Sequence, residues 1–221
     1  MRKVLYTCIT GGYDSLHEIP PFRRDFDTVC FSDDPSLRYQ TSSWTVLPIP
    51  GSILGLPKVK QQRLVKILPH RFLPGYDVSV WIDGNILVKG DLSGLFSSLD
   101  FSKSPFLTRR HPSRDCAYEE YKAVKKMGKD FSGKGGPQME RYRREGFPKN
   151  FGLEETNVIA RLQEDSRCRI LCNLWGKEVL ENSHRDQLSL DYCRWKTGTG
   201  IGFIDLNMRK NPYFALRRHL D

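Results

Sequence analysis

The sequence predicts a single α/β domain built around a sheet with helices packed against it. Three observations lead there. Strand-like runs rich in β-branched residues recur along the chain, separated by runs of helical period. The first of them, Lys3–Thr10 (KVLYTCIT), breaks into Gly11-Gly12-Tyr13-Asp14, and a strand entering a glycine turn at the start of an α/β sheet is a common nucleotide edge. The third is Tyr76–Asp91 (YDVSVWIDGNILVKGD), where Val78, Val80, Trp81, Ile82, Ile86 and Val88 read as one strand buried on both faces. A length of 221 residues suffices for one such domain with a real core, or for two very small ones.

Composition narrows the class. With 38% hydrophobic and 28% charged residues the chain is globular, and no run approaches the roughly 20 apolar residues of a membrane span. The basic start and short apolar run of MRKVLYTCITGG imitate a signal peptide, but the run is too short and alternates, as a strand does. A net charge of +9 suits anionic partners. No RNP-like, zinc-finger or helix-turn-helix pattern accompanies it, so no nucleic-acid partner is expected. The six cysteines form neither zinc spacing nor a secreted disulfide framework, which points to a reducing, cytoplasmic compartment.

In chain order, Asp27–Ser32 is a second strand and ends in Ser32-Asp33-Asp34-Pro35; Asp33 can take ribose hydroxyls or cap a turn. Trp44–Pro48 is a third. Pro57–Leu68 is a helix that Pro69 stops, with Lys60, Arg63 and Lys66 at three-residue spacing on one face; Arg63, flanked by apolar positions, is the residue expected to reach a phosphate or sugar. A short helix in Asp91–Leu99 and a strand at Pro105–Thr108 follow. Arg109–Glu120 is dense in proton-transferring groups, and Asp115 is a candidate cap for a helix over Ala117–Met127. Gly128–Gly136 reads as a mobile loop or lid, Gln138–Glu145 as a charged helix, and Gly152–Leu162 as a strand or helix start carrying Glu154, Glu155, Thr156 and Asn157. Ser183 is placed to cap a helix that runs through Trp195, with Asp186 and Gln187 in its first turn, and a glycine-rich tail can close over the site.

The central question is Asp83-Gly84-Asn85. A carboxylate inside an apolar strand is costly unless paired or holding a cation. In an extended segment Asp83 and Asn85 face one side, as two oxygen ligands for a hard divalent ion, and Gly84 lets a ligand or backbone come close. The alternative is a strand that ends at Asp83 and turns through Gly84-Asn85.

The blocks YTCITGGYD, VWIDGNI, HPSRDCAYEE, GLEETNVIAR and SHRDQLSL, in this order, resemble GT-A glycosyltransferases. More narrowly, they resemble a small family catalogued as domain of unknown function 616, with plant cell-wall-related members and a likeness to the first domain of a chlorella-virus glycosyltransferase. The resemblance implies a Rossmann-like GT-A fold, with a mixed central sheet flanked by helices, as one domain over residues 1–221 that stands alone or is excised from a longer chain. Asp83 and Asn85 occupy the ends of the family's D-x-D, Asn85 being the departure, so Mn2+ or Mg2+ is the implied cofactor. The family's third metal ligand is a late histidine; His184 and His219 are late enough, and His184 is assigned although neither sits in a matching motif. Thr10, Gly11 and Asp33 fall where the nucleoside is held, with Lys60, Arg63, Gly84 and Asn157 on the donor side. Asp186-Gln187 resembles the pair that retaining members set beside the anomeric carbon, with Asp115 the rival catalytic carboxylate, and His111, Arg114 and Glu119 are expected in the acceptor pocket.

The implied reaction moves a sugar from a nucleotide-diphosphate sugar, with uridine the usual base, to a hydroxyl of a glycan or glycoprotein, with retention. Two other classes compete. A nucleotide-sugar hydrolase needs a second cluster of metal carboxylates that the sequence lacks, and a basic carbohydrate- or RNA-binding domain without catalysis would tolerate loss of Asp83.

Overall fold

The structure, a computed structural model, describes residues 1–219. Continuous buried runs build the central strands β1 (Lys3–Ile9), β2 (Asp27–Ser32) and β4 (Val78–Ile82); the others are β3 (Thr45–Pro48), β5 (Ile86–Val88), β6 (Phe106–Arg110), β7 (Glu154–Leu162), β8 (Gly202–Phe203) and β9 (Phe214–Leu216). The helices are α1 (Lys58–Ile67), α2 (Pro69–Phe72), α3 (Ser93–Ser98), α4 (Ala117–Lys126), α5 (Gly135–Arg144), α6 (Ser166–Glu181) and α7 (Gln187–Thr197).

One seven-stranded sheet runs β3-β2-β1-β4-β7-β6-β8, and β5 and β9 form a small second one. β1 is parallel to β2 and β4, whereas β7 is antiparallel to β4 and β6, so the sheet is mixed. Side chains of alternate parity feed two cores. Val4, Tyr6, Trp81 and Ile159 meet α1, α6 and α7 on one face, and Leu5, Val80, Ile82 and Val158 meet α3 and Phe214 on the other. Strand order reverses at β1, between β2 and β4, which opens a crevice at the C-terminal ends of these strands. Among the described residues, no helix is long and apolar enough to cross a membrane. All six cysteines are buried thiols.

Several sequence expectations need correction. Tyr76–Asp91 is two strands in different sheets: Ile86 N donates to Asp83 O at 2.9 Å, closing a turn, and β5 then pairs with β9 instead of the central sheet. The turn alternative therefore holds. Gly152–Leu162 resolves into a nine-residue strand, β7. Pro69 ends α1 but opens α2, since its missing N–H costs nothing in a first turn. Asp115 does not cap α4; Cys116 holds that position, bridged to Gly152. Ser183 does not cap α7 either, because the helix begins at Gln187 with Asp186 at the cap, and Ser183 Oγ accepts instead from Arg185 N.

Candidate active site

At the crevice three elements deliver charge to one point. α1 buries the Lys66 side chain, 1% exposed, beneath the ends of β4 and β7. Its Nζ lies 2.7 Å from Asp186 Oδ2 and 3.2 Å from Asp83 Oδ1, and it donates to Thr156 Oγ1 at 3.1 Å. Thr156 in turn donates to Asp186 Oδ2 at 3.0 Å. Arg63, one turn earlier on α1, pairs with Asp186 Oδ1 at 3.4 Å. Burial alone would raise the Asp186 carboxyl, but Lys66 and then Arg63 outweigh it and hold it well below the usual range. Asp83 Oδ1 also accepts from Trp81 Nε1 at 2.7 Å. The D-G-N turn and the Asp-Gln pair are thus joined through one ammonium. Lys66 is the residue sequence reasoning passed over; its signal was the three-residue spacing from Arg63.

A second cluster forms at the outer side of the turn. A Cβ on Gly84 would lie 2.9 Å from Asp14 Oδ2 and 3.2 Å from Asp14 Cβ, so a side chain here would displace this carboxylate from the turn. Asp14 Oδ1 is 2.8 Å from His219 Nδ1, and the His219 ring lies 4.7 Å from Tyr13, which is 59% exposed. Burial raises the Asp14 carboxyl against the opposing pull of His219, and the charge on Asp83 adds to the rise. The chain after β9 is tied to the turn: Arg217 N donates to Asn85 O at 2.9 Å and Asn85 Nδ2 to Arg217 O at 3.1 Å. Asp14, Asn85, Arg217 and Arg218 line a cavity of about 200 Å3. No group of three His, Cys, Asp or Glu side chains among the described residues is gathered closely enough to cage a metal by itself.

The remaining candidates divide. Gly11, at φ +66°, donates its N–H to Asp33, which also pairs with Lys58 at 2.8 Å; these contacts hold the Asp33 carboxyl below its usual range despite burial. Thr10 Oγ1 donates to Lys58 O. Asn157 O accepts from Asp83 N at 3.0 Å and so anchors the turn. Gln187 Nε2 donates to Glu154 O at 3.1 Å. Glu155, in ion pair with Arg109, is raised by burial and then by Asp83, despite Arg109.

Lys60 points away, donating to Leu180 O at the end of α6. His184 stacks on Phe131 at 6.1 Å, beside Arg63 and without a hydrogen bond to Asp83 or Asn85 among the described residues. His111 Nδ1 accepts from Arg114 N at 3.0 Å, and Arg114 Nε reaches Glu120, not Glu119, at 2.6 Å. Glu119 pairs with Lys122 on the outer face of α4, and Asp115 is exposed.

Among curated proteins, none matches the chain by sequence. By structure the chain resembles mouse xyloside xylosyltransferase 1, with 8% identity over 92% of this chain and 84% of that one and a TM-score of 0.53. It also resembles the galactosyltransferase LgtC, with 10% identity over 91% and 72% and a TM-score of 0.50. It spans 45% of the glycosyltransferase GlyE of Streptococcus pneumoniae TIGR4, with 13% identity over 92% of this chain and a TM-score of 0.46. The first two likenesses establish the fold, that of the GT-A glycosyltransferases. Residues 42–215, most of the chain, match the profile described as TOD1/MUCI70, glycosyltransferase-like domain. The chain therefore belongs to the TOD1/MUCI70 glycosyltransferase-like family.

Proposed function

We propose that this glycosyltransferase takes its sugar from a UDP-sugar held at the D-G-N turn, uses a divalent ion, and transfers to a glycan or glycoprotein hydroxyl with retention. The observation that supports it most is the Lys66 bridge, 3.2 Å from Asp83 and 2.7 Å from Asp186, which sets the donor turn beside the Asp-Gln pair.

Thr10, Gly11 and Asp33 are the nucleoside end of this site, and the exposed Tyr13 ring offers a face for the base. Asp14, Asp83, Asn85 and His219 offer donor atoms near the turn, but among the described residues no three acids or imidazoles gather into a cage, so Mn2+ or Mg2+ would be held by one or two of them with phosphate oxygens completing the shell. Of the two late histidines His219 is favoured over His184, through its contact with Asp14. When bound, the ion neutralises charge on the departing diphosphate. Arg217 and Arg218 contribute to the same neutralisation from the adjoining cavity.

Asp186, kept ionised by Lys66 and Arg63, accepts hydrogen bonds from donor sugar hydroxyls. Glu154 O holds the Gln187 amide nitrogen, leaving its carbonyl oxygen to face positive charge developing at the anomeric carbon. Transfer breaks the bond from that carbon to the diphosphate oxygen and forms one to the acceptor oxygen. The departing phosphate oxygen receives the acceptor's proton on the same face.

Calorimetric titration with UDP and UDP-glucose, with and without Mn2+, tests the site. Metal-dependent binding that disappears in Asp83→Ala is expected; no binding to any nucleotide under either condition overturns the proposal. Retention is read from the product, whose anomeric configuration by NMR matches that of the donor.

A further inference from the structure

A second cavity lies outside the donor crevice. It is a groove of about 780 Å3 beside it, between the end of β6, strand β8 and the following segment, with Leu216 on its far wall. Its size is that of a ligand site. Leu216 in its wall pairs with Ile86, the residue that follows the D-G-N turn, so the groove adjoins the donor turn.

Its lining combines two kinds of group. Ile204, Leu206 and Met208 are buried and make an apolar floor. Phe203 stands in the wall, 43% exposed, with the Arg110 guanidinium stacked 4.2 Å from its ring centre. A flat ring left open in a groove is a platform for the apolar face of a pyranose. This contact leaves the Arg110 N–H groups unused, and they form no hydrogen bond to protein among the described residues. Arg209, exposed in the same lining, also has no ion pair there. Arg109 is already matched to Glu155, so two guanidinium groups stand against one unpaired carboxylate, Asp205.

We propose that this groove binds an acidic oligosaccharide as acceptor: a sugar ring lies on Phe203 while Arg110 and Arg209 take carboxylate or sulfate groups in bidentate fashion. The assignment of this ligand as acceptor rests on the transferase reading above. The binding itself does not.

The test titrates the whole chain with a hyaluronan tetrasaccharide, a heparin tetrasaccharide and neutral chitotetraose, following amide shifts by NMR, and with UDP in parallel. Either acidic sugar should bind roughly tenfold or more tightly than the neutral one, as expected for charge-assisted bidentate contacts. The preferred one tells carboxylate from sulfate. Arg110→Ala and Arg209→Ala should each remove most of that preference, Phe203→Ala should weaken acidic and neutral sugars alike, and UDP binding should be unchanged in all three. Equal binding of chitotetraose, acidic-sugar binding unaffected by both arginine variants, or tighter binding of a single-stranded RNA oligomer overturns the inference. Failure of UDP to bind overturns the donor assignment instead, and leaves the oligosaccharide comparison readable.

Discussion

Two buried carboxylate sites share helix α7, and they differ in how many cations each has. At its N-terminus Asp186 meets both Lys66 and Arg63, and its carboxyl falls well below the ordinary range. Further along, one cation, Arg194, is shared between two acids: its Nε lies 2.7 Å from Asp191 Oδ1 and its Nη1 3.6 Å from Glu154 Oε1. Burial pushes Asp191 up to about 6 and Glu154, next to Asp191, up to about 7. Desolvation raises a carboxyl at both sites, and only a surplus of positive charge reverses it. The first site is thus built to stay ionised. The second keeps a proton near neutrality while Asp191 holds the Glu154 N–H at 3.1 Å and, through the Glu154 carbonyl, Gln187.

The contrast breaks most severely at Lys66. Lys66→Ala leaves Asp83 and Asp186 without their shared ammonium, and the expected loss is about 3–5 kcal/mol of unfolding free energy by denaturant titration. A loss below about 1 kcal/mol would mean that Arg63 and solvent suffice at this point. Next comes Glu154→Gln, read through pH. Because the folded protein holds the Glu154 proton more tightly than the unfolded chain does, wild-type stability falls as pH rises from about 4.5 to about 7. The variant should lose the Glu154 share of this slope, keeping that of Asp191, and gain on the order of 1–3 kcal/mol relative to wild type at pH 8 compared with pH 4. Asp186 acts in the opposite sense, with stability present above its ordinary value near 3.8 and lost as pH falls through its lower folded value.

A smaller effect is expected at the turn. Gly84→Ala pushes a Cβ against Asp14 and should cost about 1 kcal/mol. Metal-dependent UDP binding should weaken with it, since Asp14 is displaced; unchanged binding would remove Asp14 from the donor set. Smallest of all is Lys122→Ala, which deletes the exposed pair with Glu119 and should change stability by no more than about 0.5 kcal/mol. Thermal melts of the four variants side by side would rank burial against pairing.

Much of the frame was legible. β1, β2, β3, α1 and α4 lie where periodicity and breakers set them, because their apolar patterns are local and strong. α6 was not assigned, although Cys168, Leu171, Cys172, Trp175 and Val179 recur at helical spacing on its buried face; Glu178 interrupts that face, and Trp175 is held by its bond to Asp186 O and by packing on Phe106. At the site, the D-G-N turn stood out as polar residues in an apolar run, whereas Asp186-Gln187, in a polar stretch, stood out through its resemblance to the GT-A pair. Glu119 was preferred to Glu120 because composition cannot tell which of two adjacent acids faces inward; the phase of α4 buries Glu120 against Arg114.

The amino-acid sequence by itself determined the class of fold, the first strand with its glycine turn, the interruption of the apolar run at Asp83 and the basic face of α1. These are written in patterns a few residues long, where backbone geometry and desolvation act locally. Only the tertiary structure decided that Asp14 meets His219 across 205 positions of chain, and that Lys66 stands between Asp83 and Asp186. Those meetings follow from the reversal of strand order at β1 and from the return of β9 onto β5, and no local pattern encodes which distant side chains such a return brings together.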